Sequence, residues 1–164
     1  MWKLKIPSKA SCFARRLLKD SLPTKKNLHR RNVQLDDVRC PICKEVEEDV
    51  SHVFFSCPKI LPLWWESMNW INIQGVLPIS PKEHFLQLVY CGPNDTLIKR
   101  WQIWWIALSW CIWYHRNRIE FNGNSFNGHN LLEEAFFFFC WSWLSNLDKG
   151  FHIPFHFWAS NIKA

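Results

Sequence analysis

One cluster of metal-binding side chains constrains this chain more than any other feature of its sequence. Two residues separate Cys40 from Cys43, eight more precede His52, and another four precede Cys57. Cysteines spaced in this way can direct both sulfurs to one point from a tight turn, and His52 and Cys57 can supply a second pair from little more than one helical turn. Three thiolates and one imidazole fill the tetrahedral coordination that zinc prefers and leave no position for water. The pattern therefore predicts one structural Zn²⁺ ion rather than a catalytic one.

The alternative interpretation is that the cysteines simply pack in an apolar core. It suits Cys91, Cys111 and Cys140, which have no partner at ligand spacing, but it suits Cys40 and Cys43 poorly because their neighbours are charged. The N-terminal residues contain no apolar segment typical of an export signal. We therefore expect an intracellular protein, in the nucleus or cytoplasm rather than an organelle, where clustered cysteines more often bind metal than form disulfides.

Positive charge is concentrated in the first 39 residues, which hold eleven bases and three acids, whereas the rest of the chain holds nine bases and eleven acids. Such an uneven distribution is typical of a surface that meets phosphate, and it is equally compatible with solvated faces of two short helices. The candidates for contact with RNA or DNA are Lys3, Lys5, Lys9, Arg15, Arg16, Lys25, Lys26, Arg30 and Arg31.

The chain is expected to be mainly α-helical, with a small zinc-knuckle module followed by a Trp-rich helical region. Helices are predicted over about 9–19 with Ser8 as cap, from Thr24 to about Arg31, near Ser51, after Pro62, over 94–121 and over 130–147. Apolar residues at spacings of three and four give the helix at 94–121 its face, and further Trp residues predict burial on several sides. We divide the chain into a zinc-binding domain at 1–75, a linker at 76–93 and a Trp-rich region at 94–164.

Aromatic residues dominate the predicted core, with 12 Trp and 13 Phe in the chain. The longest apolar run, Trp101 to Tyr114, is bounded by Arg100 and by His115 and Arg116. A membrane-spanning helix needs about 20 apolar residues. We therefore interpret this run as a buried helix and expect no membrane association.

The stretch from Trp2 to Trp64 resembles the zinc-binding domain that follows the polymerase in plant non-LTR (LINE-type) retrotransposon reverse transcriptases. The matching residues are Trp2 to Lys9, Leu22 to Lys25, Asn27, Leu28, Arg31, Cys40 to Cys43, Glu48, His52 to Phe55, Cys57 and Trp64. That family usually has a small hydroxyl residue where this chain has Asp49, a difference that touches no ligand. Residues 101–122 are similar to the Trp-rich helix that follows in the same polyproteins.

The resemblance implies a fragment that lacks the preceding polymerase and the ribonuclease H domain that often follows. The residues agree, because the single Asp36-Asp37 pair has no palm-like surroundings and the remaining acids are scattered. No phosphate loop, zinc-protease motif or catalytic triad is present in the sequence. We expect no enzymatic activity.

Three interpretations of function remain open at this stage. The first is a zinc-stabilised accessory module that contacts RNA or DNA through its basic N-terminal face, with Trp2, Phe13 or Phe54 as candidates for base stacking. The second is a protein-interaction module whose Trp-rich helices dock against a polymerase domain or another protein. The third is a retroelement remnant without a selected function.

Overall fold

The computed structural model describes residues 4, 6–70, 75–91, 95–147 and 149–160. Within these ranges the protein is helical, and the isolated bridge between Arg39 and Glu47 is the one β-type pairing. The mainly α-helical class is confirmed. The elements are α1 (Ser8–Leu18), α2 (Lys25–His29), a π-helical turn at His52–Ser56, α3 (Leu61–Trp70), α4 (Pro81–Cys91), α5 (Asp95–Asn122), α6 (Gly128–Glu133), a second π-helical segment at Glu134–Trp141, α7 (Ser142–Leu147) and α8 (Phe155–Ser160).

The long helix α5 is the centre of the fold. All its residues from 101 to 109 are buried, including Gln102 and Ser109. Helices α1, α4, α6 and α7 and both π-helical segments contact it. A helix enclosed in this way must be apolar on several faces, and the Trp-rich pattern of the sequence predicted this burial.

Two aromatic residues that lie between His52 and Cys57 pack directly on α5. The Phe54 ring stacks on Trp113 with a centroid separation of 6.0 Å, and Phe55 stacks on Trp105 at 5.9 Å. Each aromatic side chain buries a large apolar area, and stacked pairs add about 0.5–1.5 kcal/mol beyond that burial. The zinc motif and the Trp-rich helix therefore share one core.

The two N-terminal helices begin close to their predicted positions, but one predicted cap is wrong. Ser8 is the first residue of α1, the N-cap is Pro7, and no side chain caps this end. Thr24 does cap α2, because its Oγ1 accepts a hydrogen bond from the Asn27 N–H at 3.4 Å. A proline with φ of −56° suits the start of a helix without a side-chain cap.

In α3, Trp64 and Met68 are buried, whereas Trp65 is 44% exposed. Two expectations differ from the structure. Helix α4 lies within the stretch 76–93 predicted as a linker, and His84, Phe85 and Leu88 bury one of its faces. The last predicted helix is interrupted by the π-helical segment Glu134–Trp141. The division into domains stays a prediction.

No helix among the described residues combines the length and the apolar character that a membrane span requires.

Candidate metal centre

Cys40 and Cys43 lie in a tight turn that is closed by backbone hydrogen bonds. The Lys44 N–H donates to the Cys40 carbonyl at 2.8 Å, and the Cys40 N–H donates to the Val46 carbonyl at 2.7 Å. Lys44 adopts a left-handed conformation with φ of +67°. This conformation costs a non-glycine residue roughly 1–2 kcal/mol. Lys44 is the residue at which the chain reverses direction, and this reversal lets both sulfurs face the same point.

His52 and Cys57 are brought together by the π-helical turn that separates them. The Cys57 N–H donates to the His52 carbonyl at 2.8 Å, which is the five-residue bond that defines a π-helix. In an α-helix, residues five apart would lie about 140° apart around the axis. The wider π-helical turn instead directs both side chains toward the two cysteines. Residues five apart in the sequence therefore lie on the same side of this turn.

The four side chains form one buried cluster. One potential ligand atom from each of Cys40, Cys43, His52 and Cys57 lies within 4.8 Å of all the others. His52 Nε2 is 3.3 Å from Cys43 Sγ. Ligands around a tetrahedral zinc ion lie about 3.6–3.8 Å from one another, given Zn–S and Zn–N bonds of about 2.3 and 2.0 Å. The cluster fits such an ion after shifts of about an ångström or less, and its four ligands complete the coordination.

The electrostatics of the cluster favour forms that bind metal. Burial lowers the pKa of His52, so its imidazole stays neutral and keeps a lone pair for coordination. A hydrogen bond between Cys40 and Cys57 lowers the pKa of Cys57 and, together with burial, raises that of Cys40. These two thiols therefore share a hydrogen bond, whose proton a bound metal ion would displace.

Residues 1–64 match the family model described as zinc-binding in reverse transcriptase. These residues belong to that family. All four candidate ligands lie inside the matched range, and their cluster could hold the metal ion of a zinc-binding domain. No curated protein and no solved structure matches the chain.

Asp49 caps the turn that carries His52 and Cys57. Its Oδ1 accepts the His52 N–H at 2.8 Å, and its Oδ2 pairs with Lys26 Nζ at 3.0 Å. Aspartate, serine and threonine can all supply the oxygen that such a cap requires. The hydrogen bond from the His52 N–H to Asp49 orients the backbone of this ligand residue.

The loop between Cys43 and His52, here called the zinc loop, is joined to α5 by a buried ion pair of Glu48. Its side chain is fully buried and accepts from Arg116, with Nη2 at 2.8 Å from both carboxylate oxygens and Nε at 3.1 Å from Oε2. The Lys25 N–H adds a fourth hydrogen bond at 3.2 Å. Burial raises the pKa of Glu48, and Arg116 and the Lys25 N–H oppose that shift by favouring the charged form.

The basic residues predicted to contact nucleic acid have different environments. Lys9, Arg16, Arg30 and Arg31 are exposed, Lys26 and Arg15 are partly buried, and Lys3 and Lys5 lie outside the described residues. Lys25 is buried and its Nζ pairs with Glu120 of α5 at 3.1 Å. Its ammonium group is therefore occupied within the fold. The stacking candidates Phe13 and Phe54 are also buried, and Trp2 lies outside the described residues.

Two polar contacts of α5 were not assigned from the sequence. Arg116 falls on the buried stripe that continues from Ile112, and a charge at such a position signals a buried partner, although its identity cannot be read from the pattern. Nε2 of His115 lies 2.9 Å from Oε2 of Glu134. Nothing in the spacing of these two residues, which lie on different helical segments, indicates the pairing.

Proposed function

We propose that this chain is a non-catalytic accessory module, derived from a LINE-type retrotransposon reverse transcriptase, that holds one structural zinc ion and contacts RNA or DNA through its basic N-terminal face. The observation that carries the proposal is the buried Cys₃His cluster, in which four ligands fill the coordination of one metal ion. A bound zinc ion supplies folding energy on the order of 10 kcal/mol in small domains. The residues that surround the cluster bind and orient, and none is arranged to activate water.

The basic face is formed by exposed cations on the first two helices and the turn that follows them. Lys9 and Arg16 are seven residues apart, so they lie on the same face of α1, and Arg31 follows α2. Together with the positive charge of the first 39 residues, these side chains favour attraction of phosphate.

Two partly or fully exposed ion pairs add cations that phosphate can recruit. Lys26 pairs with Asp49 at 3.0 Å, and Arg30 pairs with Asp20 at 3.4 Å. Exposed pairs of this kind contribute only about 0–1 kcal/mol. A phosphate group can therefore compete with Asp20 or Asp49 for these side chains.

The test is binding of labelled single-stranded RNA and DNA to the zinc-loaded chain, measured by fluorescence anisotropy over a range of salt. We expect the logarithm of affinity to fall linearly with the logarithm of salt concentration, by about 0.7 per phosphate contact. Replacing Lys9 and Arg16 together with alanine should weaken binding and reduce that slope. Lys82→Ala, an exposed lysine on α4, is the matched control and should change neither quantity. Binding that ignores salt, or an equal effect of Lys82→Ala, would contradict the proposal.

The alternative of a protein-interaction module is favoured by exposed aromatic residues on α3 and α4. Trp65 is 44% exposed and Tyr90 is 80% exposed. The two helices are neighbours, because Gln87 Nε2 of α4 contacts Met68 Sδ of α3 at 3.2 Å. A polymerase domain or another protein could cover these rings. Self-association of the zinc-loaded chain without affinity for nucleic acid would favour this function.

A further inference from the structure

A polar cavity of about 230 Å³ lies at the C-terminal end of α5, away from the zinc cluster. Its wall includes His115, Arg118, Ser125, Asn127, Asn130 and Glu134. The His115 and Glu134 side chains are joined at 2.9 Å, and His115 is buried. The cavity therefore has a fixed polar wall on one side and short polar side chains from the following loop on the other.

The cavity offers both donors and acceptors to a ligand. Asn127 Oδ1 accepts the Asn130 N–H at 3.1 Å, which leaves the Asn127 amide NH₂ group to donate elsewhere. Arg118 has donors only, whereas the carboxylate of Glu134 accepts. A free phosphate in the cavity would be repelled by the nearby carboxylate of Glu134. The edge of a nucleobase, which carries donors and acceptors side by side, suits the mixture better.

An exposed aromatic face lies beside the cavity. Tyr114, Arg118 and Phe121 are at positions i, i+4 and i+7 of α5 and so share one side of the helix. Tyr114 is 50% exposed and Phe121 is 76% exposed. The Arg118 guanidinium lies 5.6 Å from the centre of the Tyr114 ring and also lines the cavity. One arginine therefore connects the aromatic face to the polar cavity.

The basic face of the N-terminal helices is adjacent to this end of α5. Lys25 of α2 pairs with Glu120 of α5 at 3.1 Å, so α2 is held against the same helical turn that carries Arg118 and Phe121. A nucleic-acid strand whose phosphates meet the basic side chains that flank α2 would have its nucleobases within reach of the aromatic face. Exposed aromatics interleaved with arginine beside a basic surface are typical of single-strand binding.

We propose that this end of α5 binds an unpaired base of a single-stranded nucleic acid, with the base stacked on Tyr114 and its edge in the polar cavity. This inference rests on the proposed function and names the form of nucleic acid that the module takes. Arg118 contacts the phosphate of the same nucleotide. A duplex does not use the site, because its bases are already stacked and paired.

The test compares three substitutions by anisotropy with labelled single-stranded and duplex forms of one sequence, as RNA and as DNA. Tyr114→Ala should weaken single-strand binding about 5- to 100-fold with little change in salt slope, because stacking releases no counterions. Arg118→Ala should weaken binding and lower the salt slope by about 0.7. Tyr114→Phe should retain most of the affinity, and duplex binding should respond to neither aromatic substitution.

Tyr90→Ala is the matched control, since Tyr90 is an exposed tyrosine on α4. Zinc content and helical signal of each variant establish that it folds. If the Lys9 and Arg16 substitutions weaken binding while Tyr114→Ala acts no more strongly than Tyr90→Ala, the base site is overturned and the basic face stands. If Tyr114→Ala weakens duplex and single strand equally, the single-strand inference is overturned as well. Loss of single-strand affinity in Tyr114→Ala and Arg118→Ala, but not in Tyr90→Ala, supports it.

Discussion

His84 is a titratable side chain inside the aromatic core. Its ring centroid is 4.5 Å from that of Trp64 and 4.7 Å from that of Phe55, and its Nδ1 accepts the Trp105 indole N–H at 3.0 Å. The proton of the neutral imidazole is therefore on Nε2. Burial lowers the pKa of His84 to about 3. The His84 imidazole therefore stays neutral in the folded chain at a pH where it is protonated in the unfolded chain, whose histidines titrate near pH 6.5.

This difference in the pKa of His84 between the folded and the unfolded chain predicts a loss of stability in mild acid. Since the folded pKa lies below the unfolded one, the free energy of unfolding should be unaffected by His84 above about pH 7 and should decrease as the pH falls from 6.5 toward 3. The decrease between pH 7 and pH 5 should be about 2 kcal/mol. His84→Gln keeps an acceptor for Trp105 and removes the titration, so urea unfolding of this variant should show a smaller dependence on pH.

The control for this experiment is His29→Gln, because His29 is exposed. Loss of zinc in acid affects all three chains alike and cancels in the comparison. A pH dependence of His84→Gln equal to that of the natural chain would show that His84 does not carry the effect.

At the scale of elements, the sequence predicts best where the determining residues are close together. The ligand set, the Thr24 cap and the long buried helix follow from spacings of a few residues. The π-helical turn at His52–Ser56 does not follow from periodicity, because the choice between α and π hydrogen bonds depends on how the turn packs. The exposure of Trp65 could not be foreseen either, since it depends on which neighbour covers that face of α3.

The contact between Glu48 and Arg116 is the clearest case of a feature beyond the reach of sequence analysis. The two residues are 68 positions apart, and a local pattern does not identify such a partner. Arg116 lies outside the range that matches the family, whereas Glu48 lies inside it. The zinc loop is thus oriented by a residue from a different part of the chain.

Breaking this ion pair should destabilise the zinc-loaded chain. Arg116→Met leaves a buried carboxylate without its partner, at a cost of about 3–5 kcal/mol. Adding Glu48→Gln to Arg116→Met removes the buried charge and should recover part of the loss. Urea unfolding measures both effects, and a chelator competition should show weaker zinc retention in Arg116→Met.

Lys99→Met is the control, because Lys99 is an exposed cation on the same helix. If Arg116→Met and Lys99→Met have the same stability, the ion pair does not hold the loop to α5, and the orientation of the zinc loop must come from the aromatic contacts alone.

At the scale of the whole molecule, the metal centre and the Trp-rich helices are parts of one packed structure. Phe54 and Phe55, which lie between the ligands His52 and Cys57, stack on Trp113 and Trp105 of α5. Ordering of the zinc turn and packing of the aromatic core should therefore occur together. Removal of the metal should disturb helical structure well beyond residue 64.

Metal content of the purified chain, measured by elemental analysis alongside circular dichroism, tests the central claim most directly. The natural chain and Cys12→Ser, which replaces an exposed cysteine, should each contain about one zinc ion per chain. The double variant His52→Ala with Cys57→Ser should lose the zinc together with part of its helical signal. A natural chain that is folded without zinc, or a double variant that retains it, would contradict the account.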